Sequence, residues 1–342
     1  MKKRIEKSKI TKRISIGLLV IFYYDGDTKT RTHTEKEELS YEKKFHEKVA
    51  GMLTAVMAFS LTACGGGDAS TNDTAKEEGS SDVITVGFSQ VGAESDWRTA
   101  NSESMKSTFT KDNGYELIFD DAQQKQENQI SAIRNFIQQD VDYIVLAPVT
   151  ETGWDAVLGE AKQAGIPVII VDRMVDVKDD SLYTAWVGSN FELEGKKAAA
   201  YLDAYMKAKN MKDMKLVNIQ GTIGASAQIG RTKGLDDAVA ANGWNLLDKT
   251  TGEFTQAKGQ EVMQSFLKKY KKDINVVYCE NDNEAFGAID AIKAAGYEVG
   301  ADKDMMVFSF DSTKEGLKKV QSGEITLNTE CNPLHGPRVE AI

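Results

Sequence analysis

Histidine is scarce in this chain of 342 residues: there are three, His33, His46 and His335. The first two precede the body of the protein and the third lies near its end. No Ser, His and Asp follow one another in a hydrolase order, and no acids, cysteines or histidines take metal-ligand spacing. No Gly-x-Gly-x-x-Gly turn follows an apolar strand. Cysteine is equally sparse, with Cys64, Cys279 and Cys331. Nothing in the sequence pairs Cys279 with Cys331, and Cys279, ending an apolar strand, reads as a small buried residue. Long apolar runs are missing too. The stretches 14–24 and 49–60 fall short of the ~20 apolar residues that a spanning helix needs. Positive charge is lacking in the body. The formal charge of -10 divides into +5 over residues 1–64 and -15 over the rest. So acidic a body does not suit a polyanion, whose counterions must be replaced by Lys and Arg, so no nucleic-acid partner is expected.

What is present begins with a leader. Lys43, Lys44 and Lys48 precede the apolar run 49–60, and Leu61-Thr62-Ala63-Cys64 follows it. Basic, apolar and small residues in that order make a secretory signal. The final four resemble the lipobox of bacterial lipoproteins, which implies cleavage before Cys64 and lipid attachment to its sulfur; the alternative is a lone surface cysteine. Residues 65–82, rich in Gly, Ser, Thr, Asp and Glu, read as a flexible tether. Residues 1–42 exceed an ordinary signal and are expected to have no folded role.

From residue 83 onward, apolar runs alternate with amphipathic stretches. Strands are expected at 84–88, 115–119, 143–147 and 168–171, with helices at 97–111, 124–139 and 154–164. A second set begins after 185–188. Its strands are expected at 216–219, near 244–247, 276–279, 306–310 and 325–329. Its helices fall at 193–207, 229–241, 259–270, 285–295 and 314–321. Such alternation means parallel sheets joined by right-handed crossovers. The fold expected is α/β, with two doubly wound Rossmann-like lobes and a ligand cleft between them: 83–188 plus 331–342 in the first, 189–330 in the second.

Ligands of open parallel sheets bind beyond the carboxyl ends of the strands. After the first strand come Gln90, Glu94, Ser95, Trp97 and Arg98, with Ser95 or Asp96 placed to cap a helix. Later strands end at Asp172-Arg173, Gln220-Gly221-Thr222, Glu280-Asn281-Asp282-Asn283, Asp311 and Glu330. Several strand ends rich in carboxylate, amide and guanidinium groups point to a small ligand rich in hydroxyls. Each group alone admits a plainer role. Trp97 and Phe254 could be core, Asp172-Arg173 a solvated pair, Arg231 a solvated helix residue, and Asp311 a helix cap.

Gly87-Phe88-Ser89-Gln90, Trp97-Arg98, the run 123–130 (Gln-Gln-Lys-Gln-Glu-Asn-Gln-Ile), Val171-Asp172-Arg173, the Gly-Thr-x-Gly-Ala-Ser motif at 221–226, Arg231-x-x-Gly234, Glu253-Phe254-Thr255, Asn281-Asp282 and Asp311 occur in a familiar order. From about residue 83 to 337 the chain resembles the periplasmic sugar-binding proteins of ABC importers, the ribose/galactose-binding type (periplasmic binding protein type 1), and in particular its galactofuranose-binding branch. The resemblance implies a non-enzymatic, cofactor-free, metal-free monomer outside the cytoplasm, lipid-anchored to the membrane, that closes over a monosaccharide and delivers it to a permease with its ATPase. It assigns sugar stacking to Trp97 and Phe254. Hydroxyl contacts fall to Glu94, Arg98, Asp172, Arg173, Arg231, Asn281 and Asp311, and a further polar contact to Glu330. It also implies one more helix, strand and hinge segment after residue 337, so the C-terminus is expected to be shortened. A receptor for a chemotaxis or two-component partner shares every one of these features. A sugar-responsive repressor would need an N-terminal helix-turn-helix and a basic face, and this sequence offers neither.

Overall fold

A computed structural model describes residues 83–211 and 213–342. The leader, the tether and Cys64 lie outside the described residues. The first sheet contains β1 (Ile84–Gln90), β2 (Tyr115–Asp121), β3 (Tyr143–Leu146), β4 (Val168–Asp172) and β5 (Ala185–Gly188), in the order β2-β1-β3-β4-β5. The second contains β6 (Lys215–Gln220), β7 (Asn245–Thr251), β8 (Val276–Cys279), β9 (Met306–Asp311) and β10 (Leu327–Glu330), in the order β10-β9-β8-β6-β7. Every pairing is parallel. The two lobes therefore repeat one topology, with the strand order reversing beside β1 in one and beside β6 in the other.

Helices make the crossovers: α1 (Asp96–Thr108), α2 (Gln126–Gln138) and α3 (Asp155–Gln163) in the first lobe, then α4 (Phe191–Lys209), α5 (Ser226–Asn242), α6 (Gln256–Tyr270), α7 (Asp282–Ala294) and α8 (Lys314–Ser322). Burial explains the strand sequences. Central β4 (Val-Ile-Ile-Val-Asp) and β8 (Val-Val-Tyr-Cys) are buried throughout, as strands covered on both faces must be. Edge strands β2 and β7 are only half-buried and carry acids and lysine. Cys279 sits fully buried in the core of the second lobe. The C-terminal turn α9 (Gly336–Glu340) packs on α1, and its Val339 joins Val86, Phe88 and Met105 in the first core. No helix among the described residues is long and apolar enough to cross a membrane.

The expected strands are all found, with ends moved by a few residues. One was missed: β5 was read as the boundary between the two sets. It is a four-residue edge strand, half-exposed, with small residues at both ends, so it carries little apolar signal.

In the second lobe, α4 and α5 lie almost backbone to backbone. A Cβ on Gly234 would stand 2.5 Å from the Gly195 carbonyl carbon and 2.5 Å from the Lys196 nitrogen. Gly159, on α3, faces open space. Gly234→Ala is thus expected to cost about 1–3 kcal/mol and lower Tm by roughly 2–10 °C. Gly159→Ala should be neutral or stabilise by about 0.5–1 kcal/mol. Thermal unfolding of both variants checks this, and equal effects would contradict it.

Candidate functional site

The first wall of the cleft grows from the end of β1. The Gln90 amide is buried and donates to Asn101 Oδ1 and Ser102 Oγ, both at 3.0 Å, which ties the strand end to α1. Ser95 caps that helix: its Oγ accepts from the Arg98 N–H at 3.1 Å. Asp96 is exposed and not the cap. With the helix start fixed, Glu94 and Arg98 stand one turn apart and pair at 3.0 Å. Arg98 Nη2 also donates to Asp172 Oδ2 at 2.6 Å, at the end of β4. Arg173 donates to the Val149 carbonyl at 3.1 Å and lies 3.5 Å from Glu94. Trp97, 5% exposed, donates its indole N–H to the Cys331 carbonyl at 2.7 Å, and its ring meets His335 edge-on at 5.8 Å.

The second wall grows from β6, α5 and the ends of β8 and β9. Arg231 Nε donates to Glu194 at 3.0 Å, Nη2 to Asp311 at 3.3 Å, and Nη1 to the Glu280 carbonyl. It is 3% exposed and not the solvated helix residue that its surroundings in sequence suggest. Asp311 does not cap the next helix, which Thr313 does. Asn281 caps α7 by accepting from the Glu284 N–H at 2.8 Å, and its amide donates to the Phe254 carbonyl at 2.9 Å. Phe254 has φ 60°, an unusual backbone for a bulky residue. Its ring lies over the Arg173 guanidinium at 4.9 Å.

These two walls enclose a cavity whose empty space, counted out to solvent, is about 280 Å³. Nine of the ten residues expected to contact a ligand line it: Glu94, Trp97, Arg98, Asp172, Arg173, Arg231, Phe254, Asn281 and Asp311. Glu330 does not. It is exposed at the end of β10, where burial falls off along the strand from Leu327 and Asn328 through half-buried Thr329 to Glu330. Its neighbour Cys331 lines the cavity in its place, together with Phe191, Ser95 and Ala227. Of these four only Ser95 stands among the strand-end groups that the sequence singles out, there as a possible helix cap; the other three were not expected. Nor were two supporting residues, His335 behind Trp97 and Glu194 behind Arg231. Apolar or isolated residues at helix starts carry no pattern that marks them.

Charge in the cavity is balanced, three arginines against three carboxylates. Burial works against charge on Arg98, but Asp172 and Glu94 outweigh it and hold the guanidinium more firmly protonated than usual. Burial also opposes the Asp172 carboxylate, yet Arg98 and Arg173 bring it below its ordinary value. Burial, with Arg98 alongside, brings Arg173 down to about 10. In the second wall burial wins for the acids: Glu194 rises to about 7 and Asp311 to about 6, despite Arg231. Three buried atoms of lining residues have no hydrogen-bond partner: Glu94 Oε2, Arg98 Nη1 and Arg173 Nε. One accepts and two donate. Among the described residues there is no cluster of three potential metal ligands.

A two-lobed α/β fold with a buried polar cavity at the strand ends defines a small-molecule binding protein. The comparisons agree. The model of the periplasmic binding protein domain matches residues 86–330. The galactofuranose-binding protein YtfQ of Escherichia coli (strain K12) is 45% identical over 263 residues, 76% of this chain and 81% of that protein. A Mycobacterium smegmatis protein solved in complex with β-D-fucofuranose is 43% identical with a TM-score of 0.72, over 75% of this chain and 84% of that one. The periplasmic binding protein component of the arabinose ABC transporter from Shewanella sp. ANA-3, solved with arabinofuranose, is 46% identical with a TM-score of 0.70, over 75% and 84%. The chain belongs to the periplasmic binding protein family, and is a binding protein and not an enzyme.

Glu194 holds its proton more tightly than an ordinary carboxyl, and stability depends on pH through it. Its pKa is about 7 folded against 4.5 ordinarily. Between those limits the folded protein binds more protons than the unfolded one, so stability from this group falls as pH rises. Glu194→Gln keeps an acceptor for Arg231 and removes that slope. The Tm of the variant relative to the parent should therefore climb between pH 4.5 and 7.5, by up to roughly 3 kcal/mol in unfolding free energy. Parallel Tm profiles would show that Glu194 ionises normally.

Proposed function

We propose that this protein captures a neutral monosaccharide, a furanose in particular, by closing its lobes around it, and delivers it to an ABC permease. The observation that carries this is the juxtaposition of Trp97 and Phe254 with unpartnered donors and an acceptor on Arg98, Arg173 and Glu94. A sugar hydroxyl both donates and accepts, so it can satisfy either kind of atom, and aromatic faces accept the C–H face of a ring. The balanced charge disfavours an anionic ligand such as a sugar phosphate. The similar proteins named for galactofuranose, fucofuranose and arabinofuranose support the furanose class. In this assignment the planar arginine–carboxylate pairs grip vicinal hydroxyls from both walls. The receptor works outside the cytoplasm, tethered through a lipid on Cys64 by residues 65–82.

Titration calorimetry of the full chain against L-arabinose, D-galactose, D-ribose, D-fructose and a sugar phosphate tests the ligand class. Heat from one or more neutral sugars and none from the phosphate is expected; no heat from any sugar removes the proposal. Trp97→Ala should weaken binding by about 2 kcal/mol or more, ~30-fold, with the far-UV dichroism retained. Unchanged affinity would make the indole a core residue. The anchor is checked separately: cells expressing the Cys64→Ser chain should release it from the detergent phase in which the parent partitions.

A further inference from the structure

The two lobes make the same unusual turn twice. After β2 the chain runs Ala122-Gln123-Gln124, with φ 53° and 60° at the two glutamines; after β7 it runs Gly252-Glu253-Phe254, with φ 55° and 60°. In each, the first N–H donates to the neighbouring strand end: Ala122 to the Gln90 carbonyl at 3.1 Å, Gly252 to the Gln220 carbonyl at 2.7 Å. In each, the residue after the turn donates back: Lys125 to Ala122 and Thr255 to Gly252, both at 3.0 Å. The lobes differ at the third residue. Gln124 donates its N–H to a backbone carbonyl, that of Val91, at 2.7 Å. Phe254 donates its N–H to a side chain, Glu284 Oε1 on α7, at 2.9 Å.

Glu284 is fully buried and does not line the cavity. Its other oxygen has no hydrogen-bond partner. Burial, with Glu280 near it, pushes its pKa far above the ordinary carboxylate value. The first lobe shows that the turn forms without such a group, so the turn itself does not account for a buried carboxyl here. What differs is the side chain that the turn presents. In the first lobe it is a glutamine; in the second it is the aromatic that faces Arg173 across the cleft. Phe254 is gripped at both ends of its residue, the N–H by Glu284 and the carbonyl by Asn281. The surroundings leave room for this grip only because they are glycine. A Cβ on Gly252 would stand 2.9 Å from Glu284 Oε1, one on Gly259 2.7 Å from the Glu284 Cα, and one on Gly221 1.9 Å from the Phe254 ring.

From this we infer that Glu284 is a positioning residue: by accepting the Phe254 N–H it fixes where the phenyl ring stands, and so sets the aromatic wall of the ligand cleft. The consequence for affinity rests on the monosaccharide reading; the consequence for the ring does not. The test uses the full chain with 4-fluorophenylalanine at position 254. Fluorine NMR is recorded without sugar, and affinity is then measured for the best sugar of the titration panel. Glu284→Met keeps the volume and deletes the acceptor; Glu284→Gln keeps an acceptor. The parent and Glu284→Gln should each show a single sharp resonance, with affinities within threefold. Glu284→Met should show a broadened or split resonance and bind at least tenfold more weakly, with far-UV dichroism unchanged. If Glu284→Met does not fold, Glu284→Asp, which draws the acceptor back by one methylene, takes its place with the same expected result. A sharp resonance at the parent's position in the acceptor-deleted variant overturns the inference. So does a changed resonance with parental affinity, and so does Glu284→Gln failing alongside Glu284→Met. If no sugar binds the parent, the functional reading falls and the fluorine spectra alone decide the role of Glu284.

Discussion

Three buried guanidiniums govern the cleft. An arginine with 2–3% of its surface exposed has lost nearly all its hydration, and a lone charge in that state would cost several kcal/mol. Every structural choice nearby answers that cost. Ser95 fixes the start of α1 so that Glu94 and Arg98 meet one turn apart. Asp172 takes a left-handed backbone, φ 61°, at the end of β4, where it reaches Arg98. In the other lobe, the glycine contact between α4 and α5 brings Glu194 against Arg231. The same pairs that offset the burial of these charges leave Arg98 Nη1, Arg173 Nε and Glu94 Oε2 unmatched, two donors and one acceptor on residues lining the cavity.

Much of this was legible in the sequence because parallel sheets write themselves plainly. Buried central strands must be apolar throughout, and the rule that ligands collect at strand carboxyl ends then selects the residues after each one. That logic reaches Glu94, Trp97, Arg98, Asp172, Arg173, Asn281 and Asp311 directly. Arg231 and Phe254 needed the motif resemblance, since a helix arginine or a lone aromatic carries no positional signal. What stayed hidden depends on contacts between distant segments. His335 meets Trp97 across 238 positions of chain, Cys331 supplies a carbonyl to the same indole, and Glu284 reaches back to Phe254. Glu330 went the other way: its place after a strand suggested the cleft, but the end of β10 runs out of the core and leaves it in solvent.

The contacts that join the lobes are few and mostly neutral. Glu151 donates its N–H to the Gly224 carbonyl at 2.8 Å, Met174 its N–H to Ser226 Oγ at 2.9 Å, and Asp96 its N–H to Asn283 Oδ1 at 3.0 Å. Each such bond contributes only about 0.5–1.5 kcal/mol net, because water satisfies the same groups when the lobes part. Phe254 over Arg173 and the small cluster of Trp97, Phe191 and Phe254 add apolar and cation–π attraction. A closed state held this lightly is one that a ligand can bias, since only contacts made with both lobes shift the balance.

Electrostatics across the cleft point the same way. Burial does most to raise Asp311 above its ordinary value, and repulsion from Asp172 across the cleft adds to it. Burial likewise does most to lower Arg173, and repulsion from Arg231 across the cleft adds to it. Set against these, Arg98 attracts Asp311 across the same gap. Like and unlike charges therefore face each other together across the cleft. Strong complementary charge would have locked the cleft without a ligand; strong repulsion would have demanded more binding energy than one small sugar supplies. On the proposed reading, a ligand whose hydroxyls bridge the two walls adds contacts to both lobes at once, and that is the physical condition for closure to report occupancy.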